Sequence, residues 1–464
     1  MHRRECDAVV IGAGPAGEVA AGRLADGGLH VVICERHLVG GECSSYACMP
    51  SKALLRPAQA LAEARRVQGA AQALSGALDV QAALDRRDEI VHGLDDSVQL
   101  PWLEQKGIEL VRGHARLEGE RVVSVDGELI EARRAVLVAT GTSPKLPAID
   151  GLSEARPWTN REATTAAKIP STLAVLGGGV SGVELAQAFA TLGSRVTLIE
   201  PGPRVLGREE PLAAARVTDG LVQAGVDVRC GTSAVGVRRH EGGAVTVECE
   251  DGTLIEADEL LVAAGRRPNT DDLGLEELGL AARGLEPGEP MATDDLLRVG
   301  GTDWLYAIGD SNGRVLLTHM GKLQARVAAD AILGRSARGL RGPGNGAGSP
   351  RVIFTEPQVA AVGHTEATAR EIGLDLRILD ADLSRNAGSS FYGHDAPGAA
   401  RLLFDNEARA IVGATFVGAE VQDFLHAATI AVVAGVALED LRHSVPSFPT
   451  RSEVWLDLLE QLSD

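Results

Sequence analysis

The sequence predicts an α/β chain of 464 residues, in which two βαβ units of one plan precede a smaller α+β module. Three observations carry that prediction. An apolar run meets a turn of GxGxxG spacing at residues 7–17 (DAVVIGAGPAG) and again at 173–182 (LAVLGGGVSG). A second strand-like run ending in glutamate follows each, at 30–35 (HVVICE) and 194–200 (SRVTLIE). Beyond a Gly/Ser/Pro-rich stretch at 334–350 the texture changes to short apolar runs around a single helix. A chain this long exceeds one ordinary core, and two to four domains is the reasonable range.

The first unit has its strand at 7–11, a helix to about Asp26 and a second strand closing on Glu35. This is the Rossmann-like dinucleotide fingerprint, and its physics is specific. Gly12, Gly14 and Gly17 let the backbone approach a pyrophosphate, the helix N-terminus offers unpaired N–H groups, and Glu35 takes ribose hydroxyls. In the second unit Gly177, Gly179 and Gly182 repeat the turn, the helix runs to about Leu192, and Glu200 closes the strand. Two full fingerprints imply two nucleotides, one flavin and one nicotinamide. A carboxylate at Glu200 would repel a 2′-phosphate. Arg204 could moderate that, but Pro201 and Gly202 add no basic clamp, so NADH is favoured over NADPH.

Between the units the sequence predicts a largely helical insertion at 51–100 and strands at 122–125 and 135–141. The second unit continues through LLVAAGRRPNT to Thr270. Past the linker, strands at 351–355, 400–404 and 410–413 surround a helix at 422–434. That helix is apolar nearly all round, which predicts burial in a core or an interface. The expected organisation is a first nucleotide domain split between 1–150 and 271–345, a second inserted at 151–270, and an α+β module at 351–464.

A net charge of −19 argues against a nucleic-acid or anionic-membrane partner, since both need a basic footprint. No apolar run reaches the ~20 residues that span a bilayer. The basic start followed by Ala8–Ile11 is too short for a secretion signal and leads straight into the glycine turn, so a cytoplasmic location is expected. Of six cysteines, Cys6, Cys34, Cys230 and Cys249 lie in strand-like contexts, whereas Cys43 and Cys48 are close neighbours. In a reducing compartment such a pair is more often redox-active or metal-binding than a structural staple. No second cysteine or histidine pair stands nearby at ligand spacing, so no metal site is expected. Pro50, two residues after Cys48, suits the first turn of a helix. Cys48 would then lie at a helix N-terminus, where the dipole favours the thiolate.

With these motifs in place, the chain resembles the pyridine nucleotide–disulfide oxidoreductases nearly end to end, and among them most resembles the dihydrolipoamide dehydrogenases. GGECSSYACMPSK at 40–52 is similar to the family's GGxCxxxxCxPSK redox motif. TDWLYAIGD at 302–310 resembles its second flavin motif, ATG at 139–141 and GRRPN at 265–269 its connecting turns, and VIFTEPQVAAVG at 352–363 the opening of its interface domain. The resemblance implies an FAD flavoprotein, a homodimer with a C-terminal dimerisation domain, and electron flow from NADH through flavin to a redox-active Cys43–Cys48 disulfide. By the family pattern Cys48 faces the flavin and Cys43 exchanges with the substrate. Lys52 and Glu184 match a pair beside the flavin. The resemblance also places Gly41, Ala115, Thr140, Gly141 and Asp310 at the flavin, and Gly265 and Arg267 at the cofactor sites.

One departure bears on mechanism. The family's dithiol reductases end in His-Pro-Thr-x-x-Glu, whose histidine is the acid–base for the exchange thiol of the other subunit. Here the stretch is FPTRSE, Phe448 to Glu453: the glutamate is kept and the histidine is lost. Phenylalanine carries no proton, so a general-base contribution of roughly 10²–10⁴-fold is missing. Three explanations stand open. Another histidine substitutes, with His443 and His426 nearest in sequence; the acceptor is a quinone, dye or metal ion that needs no proton relay; or the substrate brings its own acid–base group. Phe448, Phe391, Tyr392 and Tyr46 are candidates for an apolar acceptor pocket. The sequence is not expected to belong with the mercuric reductases, which add a C-terminal cysteine pair and often an N-terminal metal-binding domain, or with the large thioredoxin reductases, which carry a redox-active tail.

Overall fold

Both glycine turns close βαβ units. The computed structural model describes residues 3–280, 285–336, 339–340, 346, 348–393 and 398–462. Its contacts divide the chain into two units, and residues 337–338, 341–345 and 347 of the 334–350 linker lie outside the described residues.

The first unit comprises Met1–Pro50, Arg87–Lys145 and Arg266–Arg341. Strand Arg3–Ile11 pairs in parallel with Val31–Glu35 on one side and Glu128–Val138 on the other; Glu109–Arg112 and Leu305–Ala307 extend the parallel sheet. Val31–Glu35 is buried along its whole length, as a parallel strand covered on both faces must be. One face packs Val10, Leu24, Ile33, Leu137 and Ala328, which brings helices Pro15–Asp26 and Thr318–Ile332 onto the sheet. The other packs Val9, Val32, Ile130, Met291 and Trp304, under an antiparallel extension of Ala115–Gly119 and Val122–Val125. Parallel strands end together, so the two helix N-termini gather at the carboxyl edge of the sheet.

The second unit comprises Ser51–Arg86, Leu146–Gly265 and Gly342–Asp464. Its parallel sheet runs Asp227–Cys230, Arg195–Glu200, Thr172–Leu176, Glu259–Val262, beside an antiparallel sheet of Ala234–Arg239, Val245–Cys249 and Leu254–Ala257. The C-terminal module is a five-stranded antiparallel sheet with Leu376–Ala381 at one edge and Arg351–Ile353 at the other. Ile353, Val359 and Val417 of that module share one core with Phe189 and Leu221. Buried Glu210 adds a polar tie through Arg401, which also holds Asp380 and Glu366.

The helical insertion is several pieces, the longest being Cys48–Arg66 and Val80–Ile90. The expected helix at 422–434 begins as a 3-10 turn, Val421–Phe424, and is α-helical only over Leu425–Ala434. Leu425, Ala428, Ala431 and Val432 pack on the sheet, while Ile430 and Val433 are 52% and 48% exposed. Among the described residues no helix is long and apolar enough to cross a membrane.

Candidate active site

The two fingerprint turns are built alike. A Cβ on Gly17 would lie 1.9 Å from the Gly12 carbonyl oxygen, and one on Gly182 would lie 1.8 Å from that of Gly177, so each helix sits directly against its turn. The helices start at N-caps Gly14 and Gly179, neither with a capping side chain, which leaves first-turn N–H groups for an anion. Each closing glutamate grips its own turn. Glu35 accepts from the N–H groups of Ala13 (2.8 Å) and His37 (2.7 Å). Glu200 accepts from those of Gly178 (2.6 Å) and Gly202 (2.7 Å). A carboxylate accepts about four hydrogen bonds, so both retain lone pairs for ribose hydroxyls. Arg204 is directed to the carbonyls of Gly207 and Glu209, each at 3.0 Å.

Cys43 and Cys48 form a disulfide. Cys43 lies in the short helix Gly41–Ser45, and Cys48 is the first residue of helix Cys48–Arg66. Gly41 has φ +61°, and a Cβ there would meet the Gly14 Cα at 2.8 Å. The redox motif thus packs backbone to backbone against the first fingerprint. Across the pair stands Thr318, first residue of helix Thr318–Ile332, with Oγ1 3.1 Å from the Cys43 sulfur and 3.5 Å from that of Cys48.

A polar chain surrounds Asp310. The Thr142 hydroxyl donates to its carboxylate at 2.8 Å, and Arg266 donates to the Thr142 oxygens at 2.7 Å while lying 3.6 Å from Glu42. Burial pushes the Asp310 carboxyl up, against that hydroxyl and Arg266. Asn269 joins the connecting turns, its N–H reaching the Gly141 carbonyl at 3.0 Å and its amide that of Thr140 at 2.9 Å. The Thr140 hydroxyl is buried without a hydrogen-bond partner among the described residues. An uncapped helix N-terminus, an orphaned hydroxyl and a carboxylate at Asp310 fit a flavin dinucleotide. Ala115 is buried where its strand begins, so anything it gives a ligand is main chain.

Lys52, one turn after Cys48, donates to Glu184 at 2.7 Å. Glu184 is 2% exposed and also accepts the Phe354 N–H at 2.9 Å. The Lys52 ammonium lies 4.9 Å from the centroid of the Phe354 ring, a cation–π distance. Gly265 adopts φ +111°. Arg267 pairs with Asp271 at 2.5 Å; strand alternation sends its neighbour Arg266 to Thr142 instead.

In the FPTRSE segment Phe448 is 77% exposed, and one Glu453 carboxylate oxygen is buried without a hydrogen-bond partner among the described residues. Arg451 anchors the segment. It is buried, donates to the Ala419 carbonyl, and lies 4.9 Å from the Tyr392 ring and 5.5 Å from the Phe424 ring. Tyr392 is thereby engaged by a cation, and Phe391 is 66% exposed. His426 and His443 are both exposed.

Sequence reasoning missed Thr142, Arg266, Thr318 and Phe354. Thr142 directly follows ATG at 139–141 and Arg266 lies within GRRPN at 265–269, where a face count along the strand at 266–268 separates Arg266 from Arg267. Nothing local marks Thr318, which lies 270 residues from Cys48.

The sequence profile described as "Pyridine nucleotide-disulphide oxidoreductase" matches residues 6–329, and that family's dimerisation domain matches 349–458. A dihydrolipoyl dehydrogenase of Staphylococcus aureus is 33% identical over 98% of this chain and 96% of its own length. A mercuric reductase of Staphylococcus aureus is 30% identical over 96% of this chain and 80% of its own length. Among solved structures, the HOCl-induced flavoprotein disulfide reductase RclA of Escherichia coli superposes with TM-score 0.85 at 26% identity, covering 98% of this chain and 100% of that one. Its Cu(II) complex superposes with TM-score 0.86 at 26% identity, over 99% and 100%.

Proposed function

The chain belongs to the pyridine nucleotide-disulphide oxidoreductases, and on that premise we propose that it carries electrons from NADH through FAD to the Cys43–Cys48 disulfide and on to an acceptor. One observation carries the reading: the two sulfurs are joined at the start of helix Cys48–Arg66, in a motif whose Gly41 packs on the first nucleotide turn. Residues 1–150 and 271–345 serve as the FAD domain, 151–270 as the NAD domain, and 351–464 as the dimerisation domain of a cytoplasmic homodimer.

Bound flavin supplies two-electron transfer between nicotinamide and disulfide; the remaining chemistry belongs to the chain. Gly12, Gly14 and Gly17 admit the flavin pyrophosphate, Glu35 its adenosine ribose and Asp310 its ribityl chain, with Thr140, Gly141 and Ala115 along it. Gly177, Gly179, Gly182 and Glu200 do the same for NADH, with Gly265 and Arg267 beside them. Glu200 disfavours NADPH, and Arg204, turned onto two carbonyls, is no clamp for a 2′-phosphate. Lys52, fixed by Glu184, sets a positive charge one turn from Cys48. Cys48 passes electrons on and Cys43 exchanges with a small-molecule or protein-borne disulfide.

A specific observation favours a second acceptor class. Phe448 stands where the exchange base is expected, leaving Glu453 nothing to orient there. Dithiol exchange is then slow, and a quinone-like or metal-ion acceptor that needs no proton relay is reduced faster. The Cu(II) complex of the RclA structure agrees with that class. The experiment is NADH oxidation by wild type and Cys43→Ser with lipoamide and with a quinone. Lipoamide turnover in wild type that vanishes in the variant supports the disulfide route, and surviving quinone turnover supports direct reduction. No lipoamide turnover in wild type would sink the dehydrogenase-like reading.

A further inference from the structure

The proposal that follows rests on the redox reading of Cys43 and Cys48 and concerns what serves the exchange thiol without a histidine. Reduction puts two electrons into the S–S bond and takes up one proton, giving one thiol and one thiolate; the electrons come from NADH. For exchange, Cys43 must lose its proton to solvent before attacking an acceptor, because only the thiolate is nucleophilic. Phe448 cannot receive that proton.

We infer that Thr318 takes over part of the missing task, as a hydrogen-bond donor that stabilises the Cys43 thiolate. Its Oγ1 lies 3.1 Å from the Cys43 sulfur with the hydroxyl donating, and 3.5 Å from the Cys48 sulfur. Its position is fixed from behind: Thr318 begins a 15-residue helix whose Ala325, Ala328 and Ala329 are buried in the sheet's core. A donor on a rigid element needs no rearrangement when charge develops. The partial positive end of the helix acts in the same direction. Thr318 stores no proton. It raises the fraction of Cys43 that is anionic, while the proton itself goes to water.

The charged and titratable groups next to the pair along the elements that carry it are Glu42, held by Arg266 at 3.6 Å, Tyr46, between the two cysteines, His319, next on the helix after Thr318, and Lys52, one turn after Cys48. Glu42 beside Cys43 opposes a second negative charge, which makes a neutral donor there the more consequential. None of these groups changes when threonine becomes valine, so the comparison isolates the hydroxyl.

The test uses flavin-loaded wild type, Thr318→Val and Thr318→Ser, each reduced with one equivalent of NADH. Cys43 alkylation by iodoacetamide is followed from pH 5 to 9 by peptide mass spectrometry. A donor hydrogen bond to a charged sulfur moves the titration by about one pH unit. Thr318→Val therefore raises the midpoint for Cys43 by that amount, and Thr318→Ser restores it. Coincident midpoints in all three proteins overturn the proposal. If NADH exposes no alkylatable Cys43 in wild type, the redox reading beneath has failed, and the same profile after dithiothreitol reduction decides the role of Thr318 by itself.

Discussion

Replacing Lys52 by methionine tests the electrostatic arrangement directly. Glu184 is 2% exposed and has two partners, the Lys52 ammonium at 2.7 Å and the Phe354 N–H at 2.9 Å. At an effective dielectric near 20, two unit charges at contact attract by roughly 5 kcal/mol before desolvation. Removing one member of a buried pair costs about 3–5 kcal/mol, because the other charge is left uncompensated. The Lys52 side chain is 32% exposed, so water recovers part of this and the low end, about 3 kcal/mol, is expected. Glu184→Gln keeps an acceptor for both donors and costs about 1 kcal/mol. In the double variant no buried charge remains, so its loss falls short of the sum by at least about 1 kcal/mol. Urea unfolding of the flavin-loaded proteins measures all three, with Trp158, whose ring lies 6.0 Å from Phe189 in the same unit, as the fluorescence probe. A Lys52→Met loss below about 1 kcal/mol, or additivity within about 0.5 kcal/mol, refutes the claim that Glu184 depends on that ammonium.

Phe448→His supplies a proton carrier in the segment that holds the orphaned Glu453 oxygen; lipoamide turnover is expected to rise by roughly 100-fold, the low end of the general-base range, and an unchanged rate means the absent base was not limiting. Glu200→Gln keeps acceptors for the Gly178 and Gly202 N–H groups while removing the charge; kcat/KM for NADPH relative to NADH should rise about tenfold, with thermal stability nearly unchanged. Burial pushes the Glu18 carboxyl up to about 7, opposed by Lys322. The ordinary value is about 4.3, so the folded chain holds this proton more tightly than the unfolded chain, and wild-type stability falls as pH rises from about 4.5 to 7. Glu18→Gln should therefore match wild type near pH 4 and exceed it by about 3–4 kcal/mol at pH 8, read from urea midpoints; a pH-independent difference contradicts the assignment.

What the sequence by itself determined is what local spacing controls. The two fingerprints could be read because a GxGxxG turn, the strand before it and the carboxylate after it all lie within about thirty residues, in one βαβ unit. Cys48 could be placed at a helix N-terminus because Pro50 marks the first turn. The lost histidine at Phe448 is likewise a matter of identity at one motif position. Only the tertiary structure decided that Thr318 stands across the disulfide and that Phe354 lies beneath Lys52, since packing joins segments hundreds of residues apart. It also decided that Arg266 and not Arg267 reaches Thr142. For helix Leu425–Ala434 the residues are apolar nearly all round, so no periodicity in the sequence marks a buried face; the sheet it packs against selects Ala428 and Val432 and leaves Ile430 and Val433 outside. Local propensity acts over a turn or two of chain, whereas which side chains meet depends on how whole elements share a core.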